Sequence, residues 1–320
     1  MKRVILDMDP GVDDALAIIL ALKSPELKIE AITVVSGNIQ LEFCVKNALR
    51  VLDLLKIDDI PVSAGADCPL KRERVNAPSV HGSDGLGELD RFIELDGKKR
   101  YSDPTGKPSP IPAVELILDL VDKFGQDIGI IAIGPLTNIA QAIVEDFRTM
   151  RKLGELIVMG GAFSVSGNVT SVAEFNAYAD PDAVQVVLDS GIRLLTYVGL
   201  DVTQKVRLYR DQLYKQADNN KTKIAQFIKD CTEFYIDFHR DNEGFDGCYL
   251  HDPLAVGIAI QPDLVKMQDL FVQVETSSRL TMGMTVADFR PRSTSKPNAS
   301  VCIEVDADRF MNMFYKLVLS

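Results

Sequence analysis

The chain has 320 residues, of which 46% are hydrophobic and 25% charged, so it can bury a large core, is not disordered, and is predicted to form one domain over residues 1–320. The net charge is −11 and no block of Lys or Arg stands out, which excludes nucleic-acid polymers and anionic membrane surfaces as partners. No apolar run reaches the length of about 18 residues that a membrane helix needs, which excludes a membrane span. Its five cysteines are scattered without a C-x-x-C motif, which excludes a disulfide framework or a zinc site and predicts a cytoplasmic setting.

Short apolar runs rich in β-branched residues alternate along the chain with amphipathic stretches. The predicted strands are 4–6, 29–35, 128–133, 156–159, 194–198 and 300–305, and the predicted helices are 12–23, 41–56, 137–147, 181–190 and 307–318. This order predicts βαβ units and an α/β fold, with an open, mostly parallel, Rossmann-like sheet flanked by helices. Such sheets bind ligands at the carboxyl ends of their strands, so we expect the active site there.

Two stretches interrupt the alternation. Residues 66–112 are rich in Pro, Gly and charge, and they are too long for a plain connection, which favours a functional loop or a mobile flap. Residues 205–247 have a polar, helical pattern with several aromatic residues. We interpret this second stretch as a helical cap over the sheet.

Four aspartates occupy eight residues where the first predicted strand turns into the first helix: Asp7, Asp9, Asp13 and Asp14. Two carboxylates about 4 Å apart repel by roughly 4 kcal/mol at an effective dielectric of about 20, so four of them together need a cation. Helix capping accounts for one or two of these acids but not for the pair at the strand end. Oxygen ligands without cysteine indicate a hard cation, Ca²⁺ or Mg²⁺.

Two other classes of site can begin with such a cluster. An EF-hand is excluded, because its D-x-D-x-D-G spacing and distal Glu are missing. A haloacid-dehalogenase-type phosphatase, which starts with D-x-D after a first strand and binds Mg²⁺, is a rival interpretation. It gives no role to the pair Asp13-Asp14, and that class normally carries a later Gly-Asp pair with further acids.

The motif D-x-D-P-G-x-D-D-A at residues 7–15 resembles the signature of the inosine-uridine-preferring nucleoside hydrolase family. Further motifs similar to those of the family follow in the same order: V-S-G-N at 35–38, V-H-G-S-D-G-L-G at 80–87, I-G-P-L-T-N at 133–138, M-G-G at 159–161, E-F-N at 174–176 and H-D-P at 251–253. The resemblance covers nearly the whole chain. It implies hydrolysis of the N-glycosidic bond of purine or pyrimidine ribonucleosides to ribose and free base.

The resemblance also implies one Ca²⁺ ion. Its ligands would be the side chains of Asp9, Asp14 and Asp252 and the backbone carbonyl of Ile133. The predicted substrate-binding residues are Asp13 and Asn38 on the 2′ side of ribose, Asn168, Glu174 and Asn176 at its 3′ and 5′ hydroxyls, and also His81, Met159 and His239.

Breaking a C–N glycosidic bond develops positive charge on ribose, and the departing base needs a hydrogen. Asp9 is predicted to take a proton from the attacking water, which gives ribose of inverted configuration without a covalent intermediate. His251 is predicted to be the acid, because it directly precedes Asp252, a predicted metal ligand. His81 in the flap and His239 in the cap are the alternatives.

Three interpretations therefore stay open at this stage. They are a calcium-dependent ribonucleoside hydrolase, a magnesium-dependent phosphatase, and a non-catalytic protein that binds nucleosides or ribose. The family resemblance further implies a homodimer or homotetramer. The choice between purine and pyrimidine bases is not determined by these patterns.

Overall fold

The computed structural model describes residues 1–319, so Ser320, the last residue of the predicted domain, lies outside the described residues. The strands are β1 (Lys2–Met8), β2 (Leu27–Val34), β3 (Val62–Ala64), β4 (Ile128–Ala132), β5 (Glu155–Met159), β6 (Leu195–Val198), β7 (Arg207–Tyr209), β8 (Gly247–Tyr249), β9 (Val265–Leu270), β10 (Val272–Val274), β11 (Thr285–Ala287) and β12 (Ala299–Val305). The helices are α1 (Val12–Lys23), α2 (Leu41–Leu55), α3 (Pro78–His81), α4 (Ala113–Phe124), α5 (Thr137–Glu145), α6 (Phe147–Met150), α7 (Phe175–Ala179), α8 (Pro181–Asp189), α9 (Leu200–Thr203), α10 (Arg210–Asn220), α11 (Lys223–Glu243), α12 (His251–Ile260) and α13 (Ala307–Val318).

Eight strands form the main sheet in the order β3-β2-β1-β4-β5-β6-β12-β9. Neighbouring strands pair in parallel from β3 to β12, whereas β9 pairs with β12 in the antiparallel sense at one edge. Parallel strands need crossover connections, and the helices of this chain supply them. The predicted α/β class with a mostly parallel sheet is confirmed.

The central strand β1 shows why the sheet is buried on both faces. Successive side chains of a strand point to opposite faces. Val4, Leu6 and Met8 pack into one core with α1, α2 and α12, while Ile5 packs into a second core with α4, α5 and α8. Two helical layers therefore cover the sheet, and the open edge that remains for a ligand is the carboxyl edge.

The predicted helices 12–23, 41–56, 137–147, 181–190 and 307–318 are confirmed with ends that differ by at most two residues. The patterns did not predict β3, α4 or β9. β3 has only three residues, and four of the six residues of β9 are exposed at the sheet edge, so neither shows the apolar run of a buried strand. Among residues 1–319, no helix combines the length and apolar composition that a membrane span requires.

The predicted cap at 205–247 is confirmed. It consists of α10 and the long α11, and the short strands β7 and β8 pair at its base. Aromatic side chains of α11 such as Phe227 and Tyr235 are buried, and the helix packs against α1, α2 and β8. α11 ends at Gly244, whose positive φ of 77° lies in the left-handed region that favours glycine.

Residues 66–112 form a long connection that is tied to this cap. It contains α3 and a one-turn 3-10 helix at Leu89–Arg91. Arg100 and the hydroxyl of Tyr101 both donate to the buried carboxylate of Asp230 in α11, at 2.8 and 2.7 Å. The connection and the cap therefore meet above the carboxyl edge of the sheet, where α3 contacts α11.

Candidate active site

A cavity of about 340 Å³ opens at the carboxyl edge of the sheet. Its walls come from the segments that follow β2, β4 and β5, from the flap around α3, and from the cap helix α11. The predicted site residues that line it are Asp13, Asn38, His81, Ile133, Met159, Asn168, Glu174, Asn176, His239, His251 and Asp252. Asp9 and Asp14, the two other predicted site residues, contact Asn38 through hydrogen bonds at the cavity floor.

Three carboxylates converge at this floor. Asp13 and Asp14 belong to the first turn of α1, and Asp252 belongs to the first turn of α12. These two helices pack side by side, which brings one oxygen of each carboxylate within 4.8 Å of the others. All three side chains are buried. Buried like charges at such distances require a cation, and helix N-termini offer only part of the compensation.

Asp9 lies beside this cluster, and only one of its two carboxylate oxygens has a hydrogen-bond partner among residues 1–319. Its Oδ2 accepts the backbone N–H of Asn38 at 2.7 Å, and the Asn38 side-chain amide donates to Oδ2 of Asp14 at 3.0 Å. The other oxygens, Oδ1 of Asp9 and Oδ1 of Asp14, are buried without a hydrogen-bond partner among residues 1–319. A side chain at Gly37 would collide with the Asp9 carboxylate, since its Cβ would lie 2.0 Å from Oδ2. The unpartnered carboxylate oxygens are the donor set that a hard cation fits.

Burial dominates the proton affinity of this cluster. It raises the pKa of Asp13 from 3.8 to about 8, with repulsion from Asp14 as the second cause. It raises the pKa of Asp14 to about 6, and it holds the pKa values of Asp9 and Asp252 well above their ordinary range, with the neighbouring aspartates adding to the shift. The four groups cannot all be ionised together near neutral pH unless positive charge is added.

The prediction that Asp7 belongs to the acidic cluster is wrong. Asp7 lies within β1, still between β2 and β4. Its Oδ1 accepts the hydroxyl of Thr33 at 2.6 Å and the side-chain amide of Asn138 at 2.8 Å, and burial raises its pKa to about 7. It therefore serves the packing between the sheet and α5 rather than a cation.

The carbonyl of Ile133, a predicted metal ligand, faces the same cavity. It accepts the side-chain amide of Asn176 at 2.9 Å, and the same amide donates to the carbonyl of Met159 at 3.2 Å. Asn176 thus joins the ends of β4 and β5. A carbonyl oxygen has two lone pairs, so this hydrogen bond leaves room for a second partner.

Glu174 and Asn168 shape the loop before α7. The Glu174 carboxylate caps that helix by accepting the N–H groups of Asn176 and Ala177, and it also accepts Gly161 N–H at 3.0 Å. Burial raises the pKa of Glu174. The side-chain oxygen of Asn168 accepts Phe175 N–H at 2.9 Å. Both side chains reach the cavity while their loop is held in place by these backbone contacts.

The opposite wall of the cavity is aromatic. His81 stacks on Tyr235 at 5.3 Å between ring centroids, His239 lies edge-on to Tyr235 at 4.5 Å and to Tyr249 at 5.2 Å, and His251 lies 5.3 Å from Tyr249. Burial lowers the pKa of both His81 and His251 to about 3 and also lowers that of His239. The histidines of this wall are therefore uncharged, and its rings suit a flat, partly apolar ligand.

Several lining residues were missed by sequence reasoning: Val75, Asn76, Ala77, Ser79, Gln204, Tyr235, Phe238 and Tyr249. Two signals point to some of them. Tyr235 stands four residues before His239 on one helix, which places the two side chains on the same face. Tyr249 stands at the end of β8, two residues before His251. The flap residues carry no such local signal.

Comparison with known proteins shows which family the chain is similar to. The sequence profile described as inosine-uridine preferring nucleoside hydrolase matches residues 4–312. The pyrimidine-specific ribonucleoside hydrolase RihA of Salmonella paratyphi B is 38% identical over 311 residues, which cover 97% of this chain and 96% of that protein.

Two solved structures share both fold and sequence. A purine-preferring ribonucleoside hydrolase from Gardnerella vaginalis superposes with a TM-score of 0.90 at 35% identity and covers 99% of this chain and 98% of its own. The plant nucleoside hydrolase PpNRh1 also gives a TM-score of 0.90, at 33% identity, over 100% of this chain and 99% of its own. The chain therefore belongs to the inosine-uridine preferring nucleoside hydrolase family, and it hydrolyses the N-glycosidic bond of ribonucleosides to ribose and free base.

Proposed function

We propose that this chain carries out ribonucleoside hydrolysis with one Ca²⁺ ion, with Asp9 as the base for water and His251 as the donor to the departing nucleobase. The observation that carries the proposal is the buried carboxylate cluster at the cavity floor, in which single oxygens of Asp13, Asp14 and Asp252 lie within 4.8 Å of one another. Among residues 1–319, no Lys or Arg lines this cavity, and burial lowers the pKa of its three histidines. The cluster therefore needs an external cation.

The donor set supports Ca²⁺ over Mg²⁺. We propose Asp9, Asp14, Asp252 and the carbonyl of Ile133 as protein ligands, with Asp13 at the edge of the cluster that faces the cavity. All are oxygen donors, and Ca²⁺ accepts six to eight such ligands in irregular geometry, whereas Mg²⁺ demands an octahedron. When bound, the ion would supply the positive charge that orients a water molecule and the ribose hydroxyls.

The chain's own residues divide the remaining work. Asp9 has one oxygen fixed by the Asn38 backbone and one oxygen without a partner, and the second oxygen is the one proposed to take the proton of the attacking water. Asn168, Glu174 and Asn176 are proposed to bind the 3′ and 5′ hydroxyls of ribose. As water bonds to the anomeric carbon, the C–N bond breaks and its electron pair leaves with the base, which gives inverted ribose.

The aromatic wall is proposed to hold the nucleobase. Tyr235, Phe238, His239 and Tyr249 present ring faces and edges to the cavity, and stacking on a base does not depend on its hydrogen-bonding pattern. The relatives include a pyrimidine-specific and a purine-preferring enzyme. Both classes of base are therefore candidate substrates for this chain.

Three further proposals complete the assignment. The chain forms one domain, since β1 and β12, from its two ends, belong to the same sheet. It works in the cytoplasm, which the five free cysteines favour. It forms a homodimer or homotetramer, as the family resemblance implies, and it acts on small nucleosides rather than on nucleic-acid polymers.

A reducing-sugar assay on the purified protein tests the proposal. Inosine, uridine, cytidine and adenosine are tested in parallel, before and after metal stripping and after addition of Ca²⁺ or Mg²⁺. We expect ribose release from at least one nucleoside, loss of activity on stripping, and recovery with Ca²⁺.

Three outcomes would contradict it. Robust phosphate release from a phosphomonoester with Mg²⁺ would favour the phosphatase interpretation. A calorimetric titration that shows ribose binding without any base release over hours would favour the binding protein. Full activity after complete stripping would remove the metal from the reaction.

A further inference from the structure

The three cavity histidines differ in the partner of their Nδ1 atom. Nδ1 of His239 lies 2.8 Å from the carbonyl of Tyr235, which can only accept, so Nδ1 carries the hydrogen. Nδ1 of His81 accepts the backbone N–H of Val12 at 3.2 Å, so its hydrogen is on Nε2. Neutral His239 therefore has a bare Nε2, whereas neutral His81 has an Nε2–H.

The third histidine depends on a hydroxyl. Nδ1 of His251 lies 2.7 Å from Oγ of Thr203, and a hydroxyl can donate or accept. Thr203 is fully buried at 0% exposure, and within residues 1–319 its hydroxyl has no other hydrogen-bond partner. If Nδ1 donated to it, the hydroxyl hydrogen would be buried without an acceptor, which native structures avoid. The arrangement that satisfies both groups has Thr203 donating to Nδ1.

We propose that Thr203 is a positioning residue that holds His251 in the tautomer with its hydrogen on Nε2, the ring nitrogen left available to the cavity. This inference rests on the proposed function and refines the role of His251. Thr203 is suited to the task because α9 directly follows β6 and packs against α12, the helix that begins at His251. The hydroxyl and the ring are thereby held by two packed elements.

The inference specifies how the departing base is stabilised. The C–N electron pair moves onto the base, and the Nε2–H of neutral His251 donates a hydrogen bond to the negative charge that develops there. One proton of the attacking water goes to Asp9, and its oxygen bonds to the anomeric carbon. The base takes its final proton from solvent, so His251 keeps its own hydrogen.

The experiment compares substrates that differ in their need for this hydrogen bond. A nucleoside that the wild type cleaves has a poor leaving group, whereas p-nitrophenyl β-D-ribofuranoside releases a phenolate that is already stable. For Thr203→Val, we expect kcat on the nucleoside to fall by about 100-fold, the lower end of the usual range for loss of one donor to a developing negative charge. We expect KM on the nucleoside, and kcat on the nitrophenyl substrate, to stay within about twofold of wild type.

Two variants serve as controls. Thr203→Ser restores a hydroxyl and should recover most of the activity on the nucleoside. Thr232→Val removes another fully buried hydroxyl, which donates to the carbonyl of Ile228 at 2.6 Å and does not line the cavity. It should leave both substrates unaffected. Equal losses on both substrates for Thr203→Val, or no loss on either, would overturn the inference.

A direct measurement of the tautomers complements the kinetics. The chain has only three histidines, so ¹⁵N-histidine NMR of the Ca²⁺-loaded wild type resolves them, with His239→Gln and His251→Gln for assignment. We expect a bare Nδ1 on His251 in the wild type and a changed ring signal in Thr203→Val. A hydrogen on Nδ1 of wild-type His251 would disprove the inference. Absence of ribose release by the wild type would instead count against the proposed function.

Discussion

The floor of the cavity and its aromatic wall differ in charge and in how their polar groups find partners. The floor under the sugar collects buried carboxylates whose pKa values burial raises, to about 8 for Asp13 and about 6 for Asp14. The wall that faces the base consists of aromatic rings and histidines, and burial lowers the pKa of His81 to about 3. The floor requires a cation, whereas the histidines of the wall are neutral and their Nδ1 atoms already have partners within the protein.

This difference separates two tasks of the reaction. Negative charge at the floor matches the positive charge that develops on ribose in the transition state, and a bound cation keeps those carboxylates ionised. The neutral wall matches a nucleobase that is flat before the bond breaks and gains electrons afterwards. Substitutions at the floor should therefore abolish metal binding and turnover, whereas substitutions in the wall should change base selectivity.

The largest effect is expected for Asp14→Asn. Removing this carboxylate deletes one member of the cluster and its unpartnered Oδ1, so Ca²⁺ should bind far more weakly and ribose release should fall below detection. A ligand at 100 times its Kd stabilises a protein by about 2.7 kcal/mol, so thermal melts with and without Ca²⁺ measure the loss. A wild-type Ca²⁺ shift in the variant would show that Asp14 is not a ligand.

Asp9→Asn should have the second largest effect. The variant keeps the hydrogen bond from Asn38 N–H and the fold, but it cannot accept a proton from water, so kcat should fall by about 10²- to 10⁴-fold. Asp9 is proposed both as a ligand and as the base, and the Ca²⁺-dependent shift in melting temperature measures the ligand role separately from turnover. Lost turnover with a retained shift supports the role of base, and near-normal turnover would exclude it.

His239→Gln tests the other wall and should have a smaller effect. His239 contacts aromatic neighbours, the Tyr235 carbonyl and, at 3.9 Å from its Nε2, the Glu243 carboxylate. None of these groups is a proposed metal ligand, so loss of His239 should not alter metal binding. A hydrogen bond to a base is worth about 1 kcal/mol, so the ratio of kcat/KM between purine and pyrimidine nucleosides should change by about fivefold to tenfold. The inhibition constant for free ribose is the control and should stay constant.

The last test concerns the pH dependence of unfolding rather than turnover. In metal-free protein, Asp13 binds its proton more tightly when folded, because burial raises its pKa from 3.8 to about 8. Its contribution to stability is present at low pH and is lost as the pH rises through this window. His81 has the opposite sign, since burial lowers its pKa from 6.5 to about 3, and its contribution is lost as the pH falls through that window.

Chemical denaturation of metal-free protein across this range tests both signs. Asp13→Asn should flatten the decline between about pH 4 and pH 8 and leave the acid limb unchanged. Saturation with Ca²⁺ should also flatten that decline, because it keeps the carboxylates ionised. A metal-free wild type that becomes more stable as the pH rises to about 8 would contradict the high pKa of Asp13.

Local patterns predicted the elements that are apolar and regular. β1, β2, β4, β5 and β6 were predicted because a strand buried on both faces is a continuous apolar run, and their helices followed from amphipathic periodicity. β9 was missed because it is an exposed edge strand. Asp7 was grouped with the cluster because spacing along the chain does not show that Thr33 and Asn138 would take its side chain.

The sequence by itself determined the α/β class, the acidic turn between β1 and α1, and, through its ordered motifs, the family and the reaction. Only the tertiary structure decided which carboxylates converge, since Asp252 reaches Asp13 and Asp14 through the packing of α12 on α1. It also decided the aromatic wall and the partners of the three histidines. The physical reason is range: strand and helix patterns act over a few residues, whereas hydrogen bonds and charge repulsion act between side chains that only folding brings together.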